Sequence, residues 1–115
     1  LGAMTLMLRN ITFRADRMLE ATRGDFSTAT DLADFLAQRG VPFREAHEVV
    51  GAIVRHCEVE GVVLEDLSAG DLSRFHPLFA VAPADVTSVP ASARSRASAG
   101  GTAPQRVREQ LAQAE

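Results

Sequence analysis

A chain of 115 residues carrying a net charge of −3, with twelve arginines and no lysine, rules out several chemistries before any motif is considered. The missing lysine excludes Schiff-base catalysis, a phosphate-loop lysine and a lysine general base, and the slightly acidic balance argues against a nucleic-acid or anionic-membrane surface as the main task. The single cysteine, Cys57, excludes an intrachain disulfide and a cysteine-rich metal site, so a reducing compartment is expected.

The length suits one domain that buries roughly 65% of its unfolded surface. With six Phe and neither Trp nor Tyr, its core must be built from Leu, Val, Ile, Ala and those phenylalanines. In chain order, Leu1 to Leu8 is apolar enough for a helix but has no N-cap, so residues 1–8 are expected to be the stub of a helix begun upstream. The alternative is a frayed end partly made of vector-derived residues. On the first reading Met4, Leu6, Met7 and Leu8 leave an apolar patch for something else to cover. No basic region precedes this run and it is too short to span a bilayer, so a soluble, cytoplasmic protein with no membrane partner is expected.

Ile11 to Phe13 predicts a short extended connection, and Arg14 to Arg23 a helix of two to three turns, with Gly24 at its end. Ser27 or Thr28 is placed to cap the next helix, with Phe26 as a hydrophobic staple. That helix, Thr28 to Arg39, puts Ala29, Leu32, Ala33, Phe35 and Leu36 on one apolar stripe. Gly40 stops it, and Val41-Pro42 makes a rigid turn. A longer helix then runs from Phe43 to a stop at Gly61, with Ala46, Val49, Val50, Ile53, Val54 and Cys57 as its apolar face. Gly51 inside it costs about 1 kcal/mol relative to Ala, which predicts close approach of the Thr28–Arg39 helix, the alternative being a functional kink.

Ser68 and Asp71 form a capping-box pattern opening a short helix to about Phe75, ended by Pro77. Leu72, Phe75, Leu78 and Phe79 are expected to lie over the core as a hydrophobic flap. One helical turn is expected near Pro83 to Val89, then an irregular segment. Thr102 and Gln105 suggest a second capping box around Pro104, opening a final helix to about Gln113 whose anchors are Val107 and Leu111. The pattern is that of an all-α, small multihelical domain: a stub at 1–8, a helical core at 9–80, and an irregular segment with a terminal helix at 81–115.

The residues offer little chemistry. His47 and His56 lie nine apart on one helix, on opposite sides, and cannot share a metal. His56 and Glu60 are spaced for an exposed helical ion pair rather than a dyad. His76 reads as a loop residue and Cys57 as a small core residue. Asp31 with Asp34, and Glu45 with Glu48, sit near helix starts, where dipole and solvation account for them. Gly100-Gly101 reads as a flexible lead-in to a cap rather than an anion cradle. Arg94, Arg96, Arg106 and Arg108 make the tail locally basic without interleaved aromatics, so a solvated or protein-facing segment is expected rather than a nucleic-acid surface. From these residues the predicted catalytic, cofactor-binding and metal sites are all none.

The stretch FSTATDLADFLAQRGVPFREAHEVVG, Phe26 to Gly51, resembles the C-terminal domain of the argininosuccinate lyase family, within the fumarase/aspartase-type lyase superfamily. The resemblance extends to Arg17-Met18, to LEDLS at Leu64 to Ser68, to Asp85-Val86 and to Pro90-Ala91-Ser92. It continues through Ser92, Arg96, Gly100-Gly101-Thr102-Ala103-Pro104 and Val107. Ala93, where many relatives have Val, is a minor departure.

The resemblance implies a parent enzyme that cleaves argininosuccinate to arginine and fumarate by β-elimination, without a cofactor. It implies a homotetramer whose long central helices form a bundle, with active sites shared between subunits. The family's catalytic serine lies on a mobile Gly-Ser-Ser-x-Met-Pro-x-Lys-x-Asn loop. This sequence has no Gly-Ser-Ser, no Lys and no Asn except Asn10, so the fragment alone is expected to be inactive. Its partners would then be the remainder of the lyase chain and the other subunits. Two alternatives stay open: an independent helical interaction module binding through Met4, Leu6 and Met7, and a piece of a related lyase acting on a different succinyl adduct.

Overall fold

Helix starts and stops written into the sequence set the frame. The computed structural model describes residues 1–22 and 24–114. Among them are seven α-helices, α1 (Gly2–Arg9), α2 (Ala15–Ala21), α3 (Ala29–Ala37), α4 (Phe43–Glu60), α5 (Ala69–Ser73), α6 (Val89–Ser95) and α7 (Pro104–Ala114), with 3-10 turns at Leu64–Asp66 and Pro77–Val81. No described residue is in a strand. The chain is all-α, as its patterning predicts. The predicted end of the second helix at Arg23 lies outside the described residues.

The core is the antiparallel pair α3 and α4. The tight turn between them uses Gly40 at φ +90°, a left-handed conformation that glycine adopts without strain, followed by Pro42 at φ −55° just before α4. The predicted stripe is fully realised: Ala29, Leu32, Ala33, Phe35 and Leu36 of α3 are all buried. They meet Ala46, Val50, Ile53 and Cys57 of α4, with Val49 and Val54 half-buried at the edges. Gly61 ends α4 in the left-handed region at φ +65°.

Leu64, Leu72 and Phe79 close this core from below. Phe79 has no exposed surface and stacks on Phe35 with ring centroids 5.8 Å apart and planes inclined by 17°. The guanidinium of Arg39 covers Phe35 as well, its Cζ 3.5 Å from the ring centroid. The expected flap is thus part of the core: Leu72 and Phe79 are wholly enclosed, while Phe75 and Leu78 pack around them. The capping box at Ser68 forms as predicted. Its hydroxyl accepts the Asp71 amide at 3.2 Å, and the Asp71 carboxylate accepts the Ser68 amide at 3.1 Å. The Ser68 hydroxyl also donates to the Asp71 carboxylate at 2.6 Å, and that bond, followed by the one from the Ser68 amide, holds the Asp71 carboxyl below the usual aspartate range.

Elsewhere local chemistry departs from the pattern. Thr28 is buried and caps nothing with its side chain; Asp25 instead accepts the Ser27 amide at 2.9 Å and orders the approach to α3. Residues 84–87 form turns, and the regular element comes later, as α6, where an irregular segment is expected. Ser88 caps α6 by accepting the Ala91 amide at 3.2 Å, and Pro90 sits in its first turn, where a missing N–H is harmless. The expected capping box at Thr102 does not form. The Thr102 hydroxyl donates to the Ala93 carbonyl at 3.4 Å, and Gln105 turns to Glu109 at 3.0 Å. Val107 and Leu111 are not anchors, being 41% and 62% exposed.

Gly51 overturns its expectation too. A Cβ built there meets nothing within 4 Å, so α3 does not press on it. At the other end of the chain, α1 and α2 bury no residue, and Met4, Leu6, Met7, Leu8 and Phe13 stand open to solvent. The molecule is correspondingly elongated, 55 × 30 × 23 Å.

Candidate functional site

A cleft of about 260 Å³ runs between α3 and the segment from Pro83 to Arg96. Its polar groups come from two places. Asp31 and Asp34, three residues apart, share one face of α3, and Asp31 sits in the first turn, where the helix dipole favours a carboxylate. Across from them Arg96, just past the end of α6, spreads its guanidinium over both. One nitrogen lies 2.6 Å from Asp31 Oδ1 and the other 3.3 Å from Asp34 Oδ2. Asp31 is the sheltered member, with its side chain 11% exposed against 43% for Arg96 and 47% for Asp34. Its second oxygen is buried without a hydrogen-bond partner. Nearby, Arg94 pairs with Asp85 at 3.3 Å.

Chemically this is a tie. A planar cation bridging two carboxylates neutralises charge and fixes α6 against α3. The loop that follows reinforces it. The Arg96 carbonyl accepts the Ala103 amide at 3.2 Å, the Gly101 amide donates to the Ser98 carbonyl at 2.9 Å, and Arg106 Nε donates to the Ala97 carbonyl at 2.6 Å. A Cβ at Gly101 would run into the Arg96 carbonyl oxygen. The pair Gly100-Gly101 therefore belongs to a closed loop, where the sequence suggests a flexible lead-in.

The other residues singled out by type are dispersed. His47 is exposed and stacks on the Phe43 ring, centroids 6.1 Å apart. His56, rather than pairing with Glu60, tilts against Phe75 at 5.5 Å. His76 is more than a loop residue: its Nδ1 accepts the Leu78 amide at 3.3 Å, starting the 3-10 turn, and its ring meets Phe79 edge-on. Cys57 is 1% exposed, and burial pushes its thiol pKa up, the reverse of what a nucleophile needs. No three acidic, histidine or cysteine side chains converge among the described residues. A second, apolar trough of about 270 Å³ lies between α3 and α4 beside Gly51. The Asp31–Arg96 pairing, across 65 residues, leaves no periodic signature in the sequence.

A family model described as argininosuccinate lyase C-terminal matches residues 26–94, which takes in α3 to α5, all but the last residue of α6 and the whole Phe26–Gly51 stretch. The chain belongs to this family. It is 49% identical to an argininosuccinate lyase of Thermobifida fusca over 98% of its own length and 24% of the relative's. To the enzyme of Thermus thermophilus it is 43% identical over 99% of this chain and 25% of that one. To that of Bordetella pertussis it is 47% identical over 90% and 22%. The chain thus spans about a quarter of the length of the curated argininosuccinate lyases it matches. These alignments extend past the family model, over α7 and the Gly100–Pro104 loop.

Proposed function

We propose that this chain is the C-terminal part of an argininosuccinate lyase, whose parent cleaves argininosuccinate to arginine and fumarate by β-elimination in arginine biosynthesis. The observation that carries the reading is identity of 43–49% to argininosuccinate lyases over nearly the whole of this chain and only a quarter of theirs. On this reading the elimination is performed by residues of the remaining polypeptide. This domain contributes a helical scaffold, and the parent works as a cytoplasmic homotetramer. Two features support a scaffold role. The acidic groups near the main cleft are committed to Arg96 and Arg94, and the sole thiol is enclosed in the core. The open apolar faces of α1 and α2 fit a domain continuous with further protein. No helix among the described residues is long and apolar enough to cross a membrane.

Fumarate absorbs in the ultraviolet, so its release from argininosuccinate can be followed directly. The 115-residue chain alone is expected to release none, while the intact parent protein turns the substrate over. Turnover by a clean preparation of the 115 residues would place the chemistry here. An intact parent that eliminates a different succinyl adduct, and not argininosuccinate, would move the reading to a related lyase.

A further inference from the structure

We propose that the trough between α3 and α4 is the seat of a helix contributed by the polypeptide outside these 115 residues. The inference deepens the lyase reading and rests on it, since that reading supplies the further chain.

The floor of the trough is Ala29 and Ala33 of α3 with Val50, Gly51 and Val54 of α4. The telling residue is Gly51. In the middle of an 18-residue helix a glycine costs about 1 kcal/mol relative to alanine. Nothing in the described structure accounts for it. Its backbone is helical, and a Cβ there meets no atom within 4 Å. What the missing side chain provides is clearance on the outer side, in a lining shared with two alanines and two valines. From His47 to Glu58 the trough follows α4 for roughly three turns, or about 16 Å, and a helix about 10 Å across fits along such a groove.

The occupant's character follows from the lining. The floor is carbon, while His47 stands at one end and Arg55 and Glu58 at the other. An amphipathic helix with small or aliphatic residues at its centre and polar residues at both ends satisfies all of them. Phe43 extends the apolar surface beyond His47, 67% exposed and stacked on its ring. The relatives carry about three times as much chain again as the matched quarter, which is where such a helix would come from. With a third helix seated, the α3–α4 pair becomes a three-helix unit and the glycine acquires the close neighbour it lacks here.

The test uses the intact parent protein. A diazirine-bearing amino acid at position 30, on the α3 rim, is irradiated and the cross-linked peptide identified by mass. A partner peptide from outside these 115 residues is the expected result. A partner peptide from a second copy of these residues, such as α1, or no cross-link at all, overturns the proposal. Independently, Gly51→Cys in the folded parent should react with a maleimide about tenfold or more slowly than in the unfolded chain, since only an outside covering can shield it. Reaction within about twofold of the unfolded rate overturns the proposal. The position-30 cross-link decides alone if Gly51→Cys fails to fold. Fumarate release by the unmodified parent separates the two claims. Turnover with an open trough removes the docking helix only, and a covered trough without turnover removes the substrate assignment only.

Discussion

The α3–α4 half of the domain and the segment after Pro83 are both helical, but they are held by different forces. In the first, Leu32, Leu36, Ile53, Leu64, Leu72 and Phe79 have almost no exposed surface, and the helices are fixed by apolar burial. In the second, α6 and α7 bury nothing of their own. They are located by a bridging guanidinium, a serine cap, a loop that only glycine can complete and a few carbonyl bonds. Apolar burial resists salt and yields to cavities. Polar ties behave oppositely, and a segment held by them opens before the core does.

The largest expected effect comes from the first region. Phe79→Ala removes the ring stacked on Phe35 and should lower unfolding free energy by about 3–5 kcal/mol, read by denaturant titration with little dependence on salt. A change below 1 kcal/mol would mean the two regions are not held differently after all. Gly101→Ala forces the loop away from the Arg96 carbonyl, at about 1–3 kcal/mol, and the loss should appear as faster amide exchange in α6 and α7 with α3 and α4 unchanged. Arg96→Met should destabilise by about 1–2 kcal/mol, between an exposed pair and a buried one, and the difference from the parent chain should shrink in high salt. A salt-independent loss would show that packing of the arginine stem, not charge, secures α6.

The smallest effect sharpens the comparison inside the core's own periphery. Ser68→Ala should cost about 1 kcal/mol by opening the capping box. Its pH dependence has a definite sign. Hydrogen bonds from Ser68 lower the Asp71 pKa from 3.8 in the folded state, so the stabilisation is present at neutral pH. It disappears as pH falls from the unfolded value through the lower folded one. Stability of the unaltered chain and of Ser68→Ala should therefore converge in acid; parallel curves would show that Asp71 is not the group responsible.

The same division of forces separates what was legible in the sequence from what was not. The α3 stripe, the Gly40-Pro42 turn, the span of α4 and the Ser68 cap follow from spacing and local hydrogen bonding, and all appear where the pattern puts them. The Arg96 tie joins residues 62 and 65 positions apart, and long-range charge pairing has no period to read. α6 escapes the pattern because its short, serine- and alanine-rich stretch has no apolar stripe, although Ser88 followed by Pro90 is a usable start signal. The false capping box at Thr102 shows the converse: the right residue types at the right spacing were diverted to Ala93 and Glu109 by the loop around them. Family membership was readable because it rests on the Phe26–Gly51 stretch, the most locally determined part of the chain.

Cys57 has one more consequence. It is the sole sulfhydryl in the chain, enclosed on the inner side of α4, and its raised pKa leaves little thiolate at neutral pH. It can be modified only while the core around α4 is open. Its rate of reaction with a disulfide reagent is therefore a clock for opening of that core, running in the unaltered protein.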